Sequence, residues 1–448
     1  MSDHLTELRR SLAGAAIIPG EAGYDLVRRC FNALIDRRPA VIVRCRGAGD
    51  VATAFDYARS QGLEVAVRGG GHNPAGHCVL DGGLVIDLTM MRRVLVDPEA
   101  RTATSEGGAT WLDFDYATQS FGLVTPGGIV GSTGVTGLTL GGGIGHLTAQ
   151  YGLTCDNLVS ADVVTPDGSV VHTSEHENPD LLWGLRGAGG NFGVVTRAEF
   201  RLHPLERVLG GRLTYKGPGI GEALRRYREL VEQAPRDMSC QALAWMTESL
   251  EPMLVVAPCY TGDGAEPEAL RALREAPGLV DDGMRLHSFV GQQHLFNSSY
   301  GEVRNYWKSS FVRALPDELI DDLLERLSAL GRPPGEILFE SLHGAPKDTD
   351  GDRAAVGFRH AAFNVSVMAG WLDPADDEAE IAWSRETSAA IEPWSMSGGY
   401  VNYMQADEPI ERVRAAFGEQ TFDRLRELKT RYDPDNVLRR NQNVPPRV

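Results

Sequence analysis

The sequence lacks most of the short patterns that assign a chain to a metal site or an oxidising compartment. Its six cysteines are scattered, none stands in a CxxC pair, and no HExxH, clustered His/Cys or EF-hand pattern occurs. We therefore predict no metal, and we predict reduced thiols in a cytoplasmic protein. No GxxxxGK[ST] loop occurs either, which disfavours hydrolysis of a nucleoside triphosphate.

Long apolar runs and an excess of basic residues are also missing. No stretch approaches the ~18 apolar residues of a membrane span, and the N-terminus MSDHLTELRRSLAG has no secretion signal, so we predict no membrane association. Lys and Arg number 44 against 61 Asp and Glu, a net charge of −17. Such a surface repels phosphate backbones and argues against a nucleic-acid partner. One anionic cofactor held by a nest of backbone N–H groups remains compatible.

The residues that are present divide the chain into two dissimilar halves. The 448 residues are too many for one core. Glycine is abundant, and its densest runs, at 69–71, 127–145 and 184–193, all lie in the first half. The second half has apolar residues at helical spacing at 220–231 and 319–327, and strand-like runs at 242–246, 253–256, 337–339 and 363–368. This mixture predicts an α+β unit with an antiparallel sheet. The oligomeric state stays open, because apolar helix faces serve cores and interfaces alike.

Several strands of the first half can be predicted from alternation and turn residues. Residues 63–67 alternate between apolar and polar, which is typical of a strand. The runs 159–165 and 170–173 flank Pro166-Asp167-Gly168 and predict a hairpin. A further alternating run, 194–202, ends before Pro204, which we take as the boundary between the halves.

Three glycine-rich loops carry the prediction of a bound dinucleotide. The first, residues 68–73, follows a strand, and its three consecutive glycines permit a close backbone approach to a ligand. The second covers 131–145 and the third 187–195. None is a Rossmann fingerprint: in the third, Phe192 stands where a glycine belongs, and a strand follows instead of a helix. The loops indicate an extended dinucleotide held by another fold.

Taken together, the motifs RGGGHN, GSTGVTGLTLGGGIG, YGLTCDN, RGAGGNFGVVT, YVNY and YDPDNVLRRNQN resemble the berberine-bridge-enzyme-like FAD-linked oxidoreductases. These belong to the vanillyl-alcohol-oxidase superfamily with a PCMH-type FAD-binding domain, and the bacterial 6-hydroxynicotine oxidase branch is similar in motif order. The resemblance implies an α+β fold with an FAD-binding domain at 1–207 (core 35–207). It also implies a substrate domain on an antiparallel sheet at 208–397, and a segment at 398–448 that completes the flavin site.

The resemblance implies FAD bonded to His72 alone. The histidine of the first loop would carry the 8α-methyl of the flavin, which makes the flavin a stronger oxidant and prevents its loss. Many members form a second bond through a cysteine, but Val130 stands at that position, and Cys155 is expected to be a small buried residue. The cofactor-binding residues implied are Arg68, Gly69, Gly70, Gly71, His72, Asn73, Thr133, Gly134, Gly137, Thr139, Gly142, Gly143, Gly145, Val194, Val195, Asn441 and Asn443.

The resemblance also implies the reaction. Tyr403, on a C-terminal Y-x-N-Y strand, is expected to act as the base if its pKa is lowered, with Tyr400 as the alternative. Thr133 matches a small β-branched residue that leaves room for O2, which favours an oxidase releasing H2O2. The substrate would be a small alcohol, amine or natural-product intermediate. A dehydrogenase or reductase of the same fold and a non-catalytic flavin-binding protein remain alternatives.

Overall fold

Three large β-sheets with flanking helices organise the chain, and the computed structural model describes residues 2–297, 302–331, 335–349 and 351–447. The strands are β1 Ala15–Ile17, β2 Val41–Arg44, β3 Val65–Arg68, β4 Leu84–Asp87, β5 Val94–Asp97, β6 Thr102–Glu106, β7 Leu123–Val124, β8 Leu158–Val164, β9 Val170–Ser174, β10 Val194–Arg201, β11 His203–Pro204, β12 Arg207–Gly210, β13 Leu213–Lys216, β14 Met238–Met246, β15 Pro252–Tyr260, β16 Leu279–Asp282, β17 Arg285–Ser288, β18 Arg304–Val312, β19 Gly335–Ser341 and β20 Phe363–Trp371. The α-helices are α1 Ser2–Ser11, α2 Tyr24–Val27, α3 Ala48–Gln61, α4 Trp111–Gln119, α5 Val135–Leu140, α6 Thr148–Tyr151, α7 Pro179–Leu185, α8 Ile220–Gln233, α9 Glu268–Arg274, α10 Phe289–Gln293, α11 Asp317–Ala329, α12 Ala345–Asp348, α13 Asp377–Ala389, α14 Ile410–Phe417 and α15 Glu419–Tyr432.

The first sheet, in the order β1-β2-β4-β3, places the first glycine loop. Strands β2 and β3 both pair in parallel with β4, while β1 is antiparallel to β2. The three parallel strands are almost entirely buried because apolar residues cover both faces, Val51 and Phe55 of α3 among them. Strand β3 ends at Arg68, so the glycines that follow begin at a fixed point on the sheet edge.

The second sheet is antiparallel, in the order β5-β6-β10-β8-β9, and it contains the predicted hairpin. Strands β8 and β9 pair in register across the turn. Gly168 has a φ of 88° there, and the Thr165 hydroxyl donates to Asp167 at 2.6 Å, which fixes the turn. The residues that predicted this hairpin are therefore the residues that close it.

The third sheet has nine strands and a clear division between its two faces. Helices α8, α11 and α13 pack on one face over a core that includes Tyr227, Leu323 and Phe339. Residues at alternate positions, among them Glu340 of β19 and Asn364 of β20, lie on the opposite face. The predicted antiparallel sheet and α+β class are confirmed.

The C-terminal helices pack against the first half rather than against the nine-stranded sheet. Phe422 and Leu425 of α15 share a core with Trp111 and Phe114. The chain enters the nine-stranded sheet just after Pro204, since β11 pairs with β7 whereas β12 pairs with β15 and β17. That point adjoins the predicted boundary at 207. None of the helices in the described part of the chain is long and apolar enough to cross a membrane.

Candidate active site

One elongated cavity is lined by all three glycine loops and by the C-terminal segment. Predicted residues that line it are Gly69, Gly70, Gly71, His72, Asn73, Thr133, Gly134, Gly137, Val194, Val195, Asn441 and Tyr403. The structure thus brings together residues from both ends of the sequence. Val130 also lines the cavity, whereas Cys155 is buried away from it.

The first and second loops touch through their backbones. A Cβ on Gly70 would lie 2.4 Å from the amide nitrogen of Gly134, and a Cβ on Gly134 would lie 2.5 Å from the nitrogen of Gly70. Gly71 has a φ of 68°, which disfavours any side chain there. Glycine is therefore required at these positions for loop packing, independently of a ligand.

Three other glycines leave open space in the cavity. Apart from its chain neighbours and, for Gly137, the backbone of its own helix, a Cβ on Gly137, Gly189 or Gly190 would meet no described atom within 4 Å, although all three residues line the cavity. These are the positions at which a ligand can approach the backbone closely. Asn441 adds a buried side-chain oxygen to which none of the described residues donates a hydrogen bond. A dinucleotide such as FAD fits this cradle.

His72 is held at the junction of the two loops. Its Nε2 lies 3.0 Å from the Ser132 hydroxyl, and its ring stacks on Phe31 with centroids 4.0 Å apart. Burial lowers the pKa of His72 to about 4, so the imidazole is neutral at pH 7 and keeps a nucleophilic nitrogen.

Three predicted cofactor glycines pack against protein instead of lining the cavity. A Cβ on Gly143 would lie 2.3 Å from the Thr154 hydroxyl, and one on Gly145 would lie 1.7 Å from the Gly127 carbonyl oxygen. Gly142, with a φ of 112°, approaches Phe358. The second half of this loop is therefore glycine-rich because it is tightly packed.

Four more predicted residues also lie outside the cavity lining. Arg68 donates to the backbone oxygen of Val27, and the Thr139 hydroxyl donates to its own helix at Val135. The other two are Asn443 and Tyr400. Tyr400 is wholly buried, and its hydroxyl accepts from the Gly143 amide at 3.1 Å and the Asn402 side chain at 3.0 Å. Through the Gly143 amide, Tyr400 is joined to the second loop.

The third loop is joined to the C-terminal segment by buried polar groups. Lys429 of α15 is fully buried and donates to the Asn191 and Leu438 carbonyl oxygens at 2.8 and 2.9 Å, and to Asp433 at 2.7 Å. The Asn191 side-chain oxygen accepts from the Val444 amide at 3.0 Å. Asn441 is placed in the cavity wall by this connection.

Tyr403 meets a buried carboxyl that the sequence did not single out. Its hydroxyl donates to Glu340 at 3.3 Å, and Asn364 donates to the other oxygen of Glu340 at 2.7 Å. Burial raises the pKa of Glu340 to about 7. Burial, followed by the nearby charge of Glu340, raises the pKa of Tyr403 well above its usual value, so the condition of a lowered pKa, under which Tyr403 alone would act as the base, is not met.

The YVNY segment is a turn and not a strand. The amides of Tyr403 and Met404 both donate to the Tyr400 carbonyl oxygen, at 2.8 and 3.1 Å. This turn sends Tyr400 toward Gly143 while Tyr403 packs edge-on against Trp307, with ring centroids 5.4 Å apart. Trp307 and Glu340 were missed because strand alternation alone does not reveal what a sheet face contacts.

Comparisons with known proteins agree with this geometry. Residues 39–174 match the family model of an FAD binding domain, and residues 399–445 match the model named berberine and berberine like. The (R)-6-hydroxynicotine oxidase of Paenarthrobacter nicotinovorans is 32% identical over 454 residues, covering 97% of both chains. The FAD-linked oxidoreductase pgmH of Aspergillus terreus is 38% identical over 473 residues, covering 97% of this chain and 94% of that one.

Solved structures show the same fold over the whole chain. The 6-hydroxy-D-nicotine oxidase of Arthrobacter nicotinovorans superposes with a TM-score of 0.89 at 29% identity, covering 98% of this chain and 99% of that one. Berberine bridge enzyme from Eschscholzia californica also gives a TM-score of 0.89, at 22% identity and 99% coverage of each chain.

Proposed function

Because the chain belongs to the berberine-bridge-enzyme-like family of FAD-linked oxidoreductases, we propose that it is an oxidase with FAD bonded to His72 alone. The setting of His72 carries this proposal. The ring is neutral, is oriented by Ser132 and lies beside the glycine cradle. Val130 offers no second nucleophile, and the buried Cys155 does not reach the cavity.

The chemistry follows from the cofactor and from two protein side chains. FAD held by the glycine cradle would supply an acceptor for a hydride from the substrate, and the two electrons, together with two protons, would convert O2 to H2O2. The substrate proton needs a separate acceptor. Tyr403 lines the cavity but stays protonated, and Glu340 lies behind it.

We infer that Tyr403 and Glu340 act as a relay. The Tyr403 hydroxyl takes the substrate proton while it gives its own proton to Glu340, so that the tyrosine ends neutral and the carboxylate ends protonated. A pKa of about 7 suits a base that works at neutral pH. Tyr400 has no such part, since its hydroxyl faces Gly143.

The finer features of the function are part of the same proposal. Thr133 lines the cavity and is small, which supports access of O2. All six cysteines are buried and unpaired, which supports a cytoplasmic location. The substrate proposed is a small alcohol, amine or natural-product intermediate.

The proposal is tested on protein as purified. A tryptic digest should contain one flavinylated peptide, the one with His72, and the His72→Ala protein should release all flavin in acid. A substrate screen read by H2O2 release, followed by anaerobic bleaching, separates the alternatives. Bleaching of the flavin by a substrate that gives no peroxide in air would indicate a dehydrogenase. Reduction of the flavin by a nicotinamide would indicate a reductase. Flavin on another residue would refute attachment at His72.

A further inference from the structure

Arg440 has no anionic hydrogen-bond or ion-pair partner in the part of the chain that the structure describes. Among the described residues that line the cavity, it is the single side chain with a permanent charge. It lies in the C-terminal segment directly before Asn441 and is half-buried. The chain as a whole is strongly acidic, so a lone cation on the cavity wall is not a consequence of general surface composition.

Within the described residues, the guanidinium of Arg440 forms no hydrogen bond and no ion pair, and its Nε is buried without an acceptor. Other arginines whose buried Nε has no hydrogen-bond acceptor bond through another nitrogen: Arg359 binds Asp156 and Arg412 binds the Ser309 carbonyl oxygen. Its neighbour Arg439 pairs with Glu64 at 3.1 Å. A partly desolvated guanidinium is unfavourable unless an anion compensates it.

The groups around Arg440 do not supply that anion. His77 also lines the cavity, and burial together with the charge of Arg440 lowers its pKa to about 4, so it is neutral. Asp81 interacts electrostatically with Arg440, but it forms no hydrogen bond with it. Its oxygens accept instead from the Arg38 amide at 2.7 Å and the Arg37 side chain at 2.8 Å. The missing anion therefore belongs to a molecule that enters the cavity.

We propose that Arg440 binds the phosphate groups of FAD and so provides the main charge compensation for them. This inference rests on the proposed function, because it takes FAD as the occupant. The two phosphates carry negative charge at neutral pH, and a guanidinium can bind such oxygens through two parallel N–H groups. In a chain of net charge −17, a local cation is needed to offset repulsion of this ligand.

The test measures reversible binding rather than turnover. In the His72→Ala protein, which cannot form the proposed covalent bond, dissociation constants are measured for FAD and for riboflavin, which lacks phosphate. Adding Arg440→Gln should weaken FAD binding about 10- to 100-fold, the range expected for hydrogen bonds to charged groups. Riboflavin binding should stay within about twofold, and Arg440→Lys should lose less than Arg440→Gln. The matched control is Arg439→Gln, which should change neither constant.

Two results would overturn the proposal: unchanged FAD binding in Arg440→Gln, or an equal loss for FAD and riboflavin. If the His72→Ala proteins do not take up FAD, covalent incorporation is measured instead in apoprotein that keeps His72. The FAD concentration that gives half-maximal incorporation is compared with and without Arg440→Gln. An unchanged concentration would also overturn the proposal. Acid release of flavin from the wild-type protein would refute attachment at His72 but would leave the FAD-to-riboflavin comparison valid.

Discussion

Adding one methyl group at Gly137 should affect the stability of the fold and the binding of the cofactor in opposite directions. It lies within α5 and lines the cavity, and a Cβ there would meet nothing within 4 Å outside its own helix. Gly137→Ala should therefore stabilise the flavin-free protein, because glycine within a helix is about 0.5–1 kcal/mol less favourable than alanine. The same methyl group should hinder FAD, since it occupies space that only a ligand can fill.

The expected loss of FAD affinity follows from overpacking, which typically destabilises by about 1–3 kcal/mol. This corresponds to about 5- to 150-fold weaker binding. Urea unfolding of flavin-free protein gives the stability change, and fluorescence titration in the His72→Ala background gives the dissociation constant. The two changes should have opposite signs.

Gly49 provides the matched control for Gly137. It lies in α3, and a Cβ there also meets nothing within 4 Å, but it faces away from the cavity. Gly49→Ala should leave FAD affinity unchanged. If Gly137→Ala binds FAD as tightly as its parent, the open space at this helix is not where the cofactor lies, and the distinction drawn between the two kinds of glycine is refuted.

Further predictions concern the proton relay and the buried lysine. Glu340→Gln should slow anaerobic flavin reduction by ~10²–10⁴-fold; a rate within a few-fold of wild type would exclude Glu340 as the base. The wild-type reduction rate should fall as the pH drops below about 7, because the Glu340 carboxyl with its raised pKa then becomes protonated, and Glu340→Gln should remove this dependence. Tyr403→Phe should reduce the rate much more than substrate affinity, with little change in melting temperature; equal effects on both would indicate a packing role. Lys429→Met should destabilise the protein by about 3–5 kcal/mol in urea unfolding, because the buried Asp433 then loses the cation that pairs with it. As a control, Arg431→Met removes an exposed pair with Asp180 and should change stability by about 1 kcal/mol or less.

Local features of the fold could be predicted from the sequence, and features set by distant contacts could not. The hairpin at 158–174 was predictable because Thr165, Asp167 and Gly168 close it among themselves. The glycines were harder to interpret. Gly137 and Gly145 are both glycines of the second glycine-rich segment, yet Gly137 faces open space and Gly145 packs against Gly127. Only the tertiary structure distinguishes them.

The site residues missed by sequence reasoning have a common physical cause. The alternation of its strand gives the face on which Glu340 lies. Its proposed part in the reaction depends on contact with Tyr403, which is 63 residues away along the chain. The raised pKa of Tyr403 likewise arises from burial and from this neighbour. A pattern in the sequence gives the direction in which a side chain points from its strand, and not the group that it meets.

The connection between Asn191 and Val444 also has a consequence for the order of events during synthesis. These residues are 253 positions apart, and Lys429 joins the same loop from α15. A chain growing on the ribosome can form the β8–β9 hairpin early, but its cofactor cavity has no C-terminal wall until residues 438–442 have emerged. Flavin is therefore expected to be captured only after synthesis has passed Val444, and a chain that stops before α15 would expose the apolar surface of α7 around Trp183 to aggregation.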